Sequence, residues 1–277
     1  MRVLLNDLGL LNDLGLPNDL GLPKDFGATE ADRSGEVDLA DLYAYPPDAG
    51  SGWWSRANMV TTLDGAATGS DGLAGTISDE FDQEVFGLLR ALADVVVVGA
   101  GTVELEGYRA PRPPAAAWAA RRDGRPPAPA LAVVSRRGRV PESLVAEPRE
   151  GHGEVLLVTC EAAGREALDH AAELLGPDGV LVVGEHEVDL VTMTEAFVAR
   201  GWTRGLCEGG PTFLATMVTT GLVDELCLTI SPLMVAGAHP RIAHGLGSHR
   251  AAVPRLLLEH DGALLGRWAL GATDPPA

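Results

Sequence analysis

The chain has 277 residues, enough for one large domain or two small ones, and a formal net charge of −18 from 39 Asp and Glu against 21 Lys and Arg. Nucleic-acid binding needs a basic face, so this balance argues against it; no apolar run approaches the ~18 residues that cross a bilayer, which argues against a membrane protein. Asp7 and Asp13 interrupt the apolar N-terminus, which does not read as a signal peptide, and a cytoplasmic protein acting on a small molecule is expected.

From residue 6 a hexapeptide recurs: Asn-Asp-Leu-Gly-Leu-Leu, Asn-Asp-Leu-Gly-Leu-Pro twice, then Lys-Asp-Phe-Gly-Ala-Thr. Each unit carries turn-forming residues, and four degenerate copies are few for a stacked solenoid. Residues 1–30 are expected to be a flexible extension, with a docking peptide as the alternative. Residues 31–52 read as an acidic, turn-rich linker and residues 53–277 as the folded domain.

Within that domain a strand is expected over 56–62, closed by an Asp64-Gly65 turn. The recurrence of Phe81, Val85, Leu88, Leu89 and Leu92 predicts a helix over 79–92, with Ser78 as its N-cap and Asp79 and Glu80 complementing the dipole. The four valines at 95–98 suit a strand buried on both faces. Residues 109–129, rich in Pro, Arg and Ala, read mainly as a surface loop. Short strands are expected at 131–134, 155–158 and 180–183, then a helix over 189–200, a strand over 205–208, a helix over 211–220 and a strand over 226–230. Residues 256–259 and 263–270 alternate enough for an antiparallel pair. Strands alternating with helices predict an α/β fold with a mainly parallel sheet.

Three strand ends carry chemistry. Glu208-Gly209-Gly210 precedes a helix with Pro211 at its first position. Paired glycines let a ligand approach the backbone, and the free N–H groups of the helix turn favour an anion. Open α/β sheets bind nucleotides at such carboxyl ends. The plainer alternative is a Gly-Gly loop beside a solvated Glu. Gly99-Ala100-Gly101-Thr102 follows the valines, but Glu104 stands where the third glycine of G-x-G-x-x-G belongs, so the Rossmann fingerprint fails. The strand at 131–134 runs into Ser135-Arg136-Arg137-Gly138-Arg139. A basic turn there accepts the 2′-phosphate of NADP, where an acidic one selects NAD; a solvated arginine turn is the alternative.

Asn58-Met59, Leu63-Asp64-Gly65, Asp82, Phe86, Arg90, Gly99 to Thr102, Glu208-Gly209-Gly210 and Gly221-Leu222-Val223-Asp224-Glu225, in this order, resemble the reductase of riboflavin biosynthesis. That family is the C-terminal half of the bifunctional deaminase-reductase, and the resemblance covers roughly residues 53–270. It implies a dihydrofolate-reductase-like fold, a homodimer, NADPH as cofactor, and reduction of a ribosylamino-pyrimidine phosphate at the opened sugar imine. It also implies that Ser135 and Arg136 meet the 2′-phosphate, while Gly99, Gly101, Thr102, Val103, Gly209 and Gly210 hold the pyrophosphate and nicotinamide side. The chain departs from the family at Ala66, where a lysine near the substrate is usual, and over 103–112, which replaces a D-N-P-x-L-T-x-R stretch. Arg109 or Arg112 is left to reach the substrate phosphate. The H-x-E and P-C-x-x-C signature of zinc deaminases does not occur.

Reduction of an imine needs a proton, and a carboxyl group with a raised pKa suits that role. Asp82 and Glu208 are the two candidates. The resemblance places Asp82 at the substrate mouth, and its position also resembles the lone carboxylate that holds the pterin in dihydrofolate reductases; the alternative is a helix-surface charge. Asn58 is expected to hold a pyrimidine edge, or else to make a strand-end hydrogen bond, and Asp64 to fix the turn. Cys160, Cys207 and Cys227 lack paired spacing and read as small buried residues. The seven histidines are scattered, and no metal site is expected. Two other functions stay open: reduction of a pterin or another imine-bearing heterocycle, and dinucleotide binding without turnover.

Overall fold

A computed structural model describes residues 1–6, 38–50, 52–122, 124–145, 150–245, 247 and 249–271. Apart from Asn6, the hexapeptide repeats lie outside the described residues. The strands are β1 (Arg2–Asn6), β2 (Trp54–Thr62), β3 (Val95–Gly99), β4 (Ala130–Val134), β5 (Val155–Thr159), β6 (Val180–Val182), β7 (Arg204–Cys207), β8 (Glu225–Ser231), β9 (Ala252–His260) and β10 (Ala263–Leu270). They form one sheet in the order β1-β9-β10-β8-β2-β7-β3-β4-β5-β6. From β8 to β6 the pairing is parallel; β10, β9 and β1 add an antiparallel edge. The expected α/β fold, a mainly parallel sheet with flanking helices and an antiparallel C-terminal pair, is the observed one.

The helices are α1 (Leu39–Leu42), α2 (Glu80–Leu92), α3 (Ala100–Glu106), α4 (Ala116–Ala119), α5 (Arg165–Leu175), α6 (Leu190–Ala199) and α7 (Pro211–Thr219). Two apolar cores sandwich the sheet, and β3 serves both because its side chains alternate faces. Val96 and Val98 pack with α1 and α2 through Leu42, Leu88 and Leu92. Val95 and Val97 pack with α6 and α7 through Met193, Phe197, Leu214 and Met217.

Four expectations change. The N-cap of α2 is Asp79, whose carboxylate accepts from the Asp82 N–H at 2.7 Å, one residue later than the Ser78 expected. Part of the supposed linker is core: Leu39, Ala40, Leu42 and Tyr43 are buried. Burial of their apolar surface outweighs the turn-rich composition that suggested a linker. Residues 2–6, assigned to the flexible extension, pair with β9 as an edge strand. The supposed surface loop over 109–129 contains α4 and two structural arginines. Arg122, itself buried, donates to the carbonyls of Ala91 and Ala93, and Arg125 donates to that of Leu92. These satisfy the carboxyl end of α2, which otherwise leaves its last carbonyls without partners.

The chain runs from β2 past one vacant sheet position to β3, β4, β5 and β6, then returns to place β7 between β2 and β3. Such a reversal opens a crevice at the carboxyl ends of the strands, where open α/β sheets take ligands.

Candidate functional site

A cleft of about 960 Å³ opens over the carboxyl ends of β2 and β7 and along α2. It brings together Asn58 and Met59 from β2, Asp82, Phe86 and Arg90 from α2, Thr102 and Tyr108, and Glu208 at the end of β7. Arg109 and Arg112 stand exposed on its rim. Thus six expected residues, Asp82, Glu208, Asn58, Thr102, Arg109 and Arg112, share one cleft.

The two carboxylates occupy opposite environments. Asp82 is buried, and burial raises its pKa against hydroxyl hydrogen bonds that favour the charged form. Thr229 Oγ1 on β8 donates to one oxygen at 2.6 Å, and Ser78 Oγ donates to the other. Glu208 instead accepts from Arg90 through Nε at 2.7 Å and Nη2 at 2.6 Å, and from the Tyr108 hydroxyl at 2.8 Å. A bidentate guanidinium plus a phenol is the partner set of an ionised carboxylate. Glu208 lines the cleft with both of its oxygens held by protein donors, where the plainer alternative had a solvated side chain. Burial opposes the Arg90 charge, but Glu208 outweighs it and the guanidinium pKa rises.

Thr229 and Tyr108 carried no expectation, and neither had a local signal. Thr229 lies 147 residues from Asp82 and meets it only because β8 passes beneath α2. Ser78, by contrast, sits four residues before Asp82, a spacing that brings side chains together at a helix start. Asp64 holds its turn as expected. Its carboxylate accepts from Thr62 Oγ1 and from the Ala236 N–H at 2.7 Å, and the Thr62 bond first, then the backbone, lowers its pKa to about 2.

The glycine turns meet beside the cleft. Gly99 N–H donates to Gly209 O at 2.8 Å, joining the ends of β3 and β7. A Cβ on Gly210 would collide with Thr102 Oγ1, whereas one on Gly101 would enter open space. The turn after β4 adds Ser135 and exposed Arg136, Arg137 and Arg139 at the adjacent strand end. Arg136 pairs with Glu187 at 2.7 Å, and both side chains are more than half exposed. Such a pair is weak and exchangeable. The Val103 side chain is fully buried in the core with Leu88 and Val98, which leaves its backbone for any cofactor contact. The open backbone turns, the hydroxyls and the arginines fit a phosphorylated dinucleotide. Among the described residues no helix is long and apolar enough to cross a membrane. The cysteines are free and buried, as expected, and burial pushes the Cys207 and Cys227 thiols up to about 12.

Residues 54–264 match the model of the RibD C-terminal domain. Two curated proteins named 2,5-diamino-6-ribosylamino-4(3H)-pyrimidinone 5′-phosphate reductase are similar to this chain. That of Archaeoglobus fulgidus is 30% identical over 181 residues, 65% of this chain and 80% of its own length. That of Methanothermobacter thermautotrophicus is 32% identical over 188 residues, 66% and 80% respectively. Among solved structures, a pyrimidine reductase-like protein from Corynebacterium diphtheriae superposes with a TM-score of 0.70 at 26% identity, covering 82% of this chain and 95% of that one.

Proposed function

The chain belongs to the RibD C-terminal domain family, and from that premise we propose that it is an NADPH-dependent reductase of a ribosylamino-pyrimidine phosphate in riboflavin biosynthesis. The observation that carries the reading is the convergence, in one cleft, of a buried carboxyl group and a crevice at the ends of adjacent parallel strands. Ser135, Arg136 and Arg137 would hold the 2′-phosphate, and the turns at Gly99–Thr102 and Gly209–Gly210 the pyrophosphate. Bound NADPH supplies the hydride.

The rest of the chemistry belongs to the chain. Asn58, whose amide has no hydrogen bond among the described residues, faces the cleft and meets the pyrimidine edge. Asp82 keeps its proton more readily than an exposed aspartate and yields it to the imine nitrogen as C1′ is reduced. The Ser78 and Thr229 hydroxyls can turn from acceptor to donor, so they serve the carboxyl group before transfer and the carboxylate after it. Glu208 fixes Arg90 and Tyr108.

The test is the loss of NADPH absorbance on adding the ribosylamino-pyrimidine phosphate; turnover upholds the reading. A second reading, reduction of a pterin-like heterocycle, draws on Ala66, a buried methyl group where the family carries a lysine, and on the buried carboxyl at Asp82. Turnover of a dihydropterin without turnover of the pyrimidine would select it, and NADPH binding without turnover of either would leave a dinucleotide-binding protein.

A further inference from the structure

We propose that Tyr108 is a positioning residue for the phosphate end of the substrate: its hydroxyl, anchored on Glu208, holds the loop that presents Arg109 and Arg112 to the cleft. The proposal rests on the phosphate-ester reading above.

The loop leaves α3 through Gly107, whose φ of 67° closes the helix, and the Tyr108 N–H returns to Val103 O at 3.1 Å. Its far side is tied where the Gly153 N–H donates to Pro111 O at 2.8 Å. Arg109 between these ties and Arg112 just after the second form no ion pair among the described residues, in a chain whose net charge is −18. Unpaired guanidiniums on a cleft rim suit a phosphate, which they grip in fork geometry. Arg90 is less suited to that part, because Glu208 occupies two of its nitrogens and its Cζ lies 4.2 Å from the Phe86 ring centroid and 5.4 Å from that of Tyr108.

What sets the loop against the sheet is the Tyr108 hydroxyl, 2.8 Å from Glu208 Oε2. Burial and the neighbouring carboxylate push the phenol pKa well above its usual value, so it remains a donor. Tyr108→Phe removes this bond but keeps the ring and the Arg90–Glu208 pair.

The experiment compares wild type and Tyr108→Phe on the ribosylamino-pyrimidine phosphate and on its dephosphorylated form. Loss of one hydrogen bond to a charged group should raise KM for the ester roughly tenfold, with kcat within about twofold and KM for the dephosphorylated form unchanged. An equal rise for both forms, a fall confined to kcat, or an unchanged KM overturns the role. A wild-type protein that reduces neither form defeats the substrate reading instead. Calorimetric titration with ribose 5-phosphate then decides Tyr108 independently. Binding by wild type roughly tenfold tighter than by the variant upholds it, and equal affinities overturn it.

Discussion

Two of the Arg–Glu pairs in this molecule, Arg56–Glu225 and Arg90–Glu208, do different work. Arg56 on β2 and Glu225 on β8 are direct neighbours in the parallel register, with side chains 0% and 7% exposed. Every part of the Arg56 guanidinium is used: Nε on Glu225, Nη1 on Tyr43 O, Nη2 on Ala44 O, and its face 4.0 Å from the Tyr45 ring centroid. This pair is closed, and it straps residues 39–45 onto the sheet. The second pair joins Arg90 to Glu208, with side chains 28% and 2% exposed, and it borders the cleft. Its spare hydrogen-bonding capacity goes to Tyr108, which leads into the rim arginines. Identical chemistry therefore clamps a fold in one place and frames a site in the other, and the difference lies in what surrounds the guanidinium.

The strap gives the largest expected effects. A protein lacking residues 1–45 loses buried Leu39, Leu42 and Tyr43 and two acceptors of Arg56, and should show no cooperative unfolding transition. One lacking only residues 1–37 loses the edge strand and should melt just a few degrees lower. Calorimetry of the two separates strap from extension. Arg56→Met leaves buried Glu225 with only the longer contact to Arg267, at 4.0 Å, and should cost about 3 kcal/mol by urea unfolding. If Arg56→Met melts like wild type, the strap is not held by this pair.

At the cleft, Glu208→Gln should cost about 1–2 kcal/mol, less because Arg90 can turn to water once freed. An equal loss in the Arg56 and Glu208 variants would erase the distinction between the pairs.

The smallest stability effect concerns pH. Asp82 has a raised pKa in the folded protein, so the folded state holds this proton more tightly than the unfolded chain, whose aspartates titrate near ~3.9. Its contribution to stability is full below that value and is lost as pH rises through the folded pKa. Asp82→Asn should flatten this decline in urea midpoints measured from about pH 4 to about pH 8. Parallel slopes in variant and wild type would remove the effect.

Much of the frame was legible from local pattern. The valines at 95–98, the stripe from Phe81 to Leu92 and the Gly-Gly-Pro start of α7 each announce their element, because burial on both faces, helical spacing and backbone freedom leave direct marks on sequence. The strap did not announce itself. Its four-residue helix has too few positions to show a period, and its anchor, Arg56, reads as an ordinary strand residue until Glu225 arrives 169 residues later. The site was half legible. Glycine motifs located the crevice, yet what surrounds each carboxylate depends on Arg90, Tyr108 and Thr229, brought together by tertiary structure.

The central claim, that Asp82 gives the proton while the glycine and arginine turns hold NADPH, is tested most directly by Asp82→Asn, assayed for both turnover and NADPH affinity. The account predicts turnover lowered by roughly a hundredfold or more, the scale of a lost general acid, with the NADPH Kd within about twofold of wild type. Full turnover in the variant, or a collapse of NADPH affinity with the chemical step intact, would contradict it.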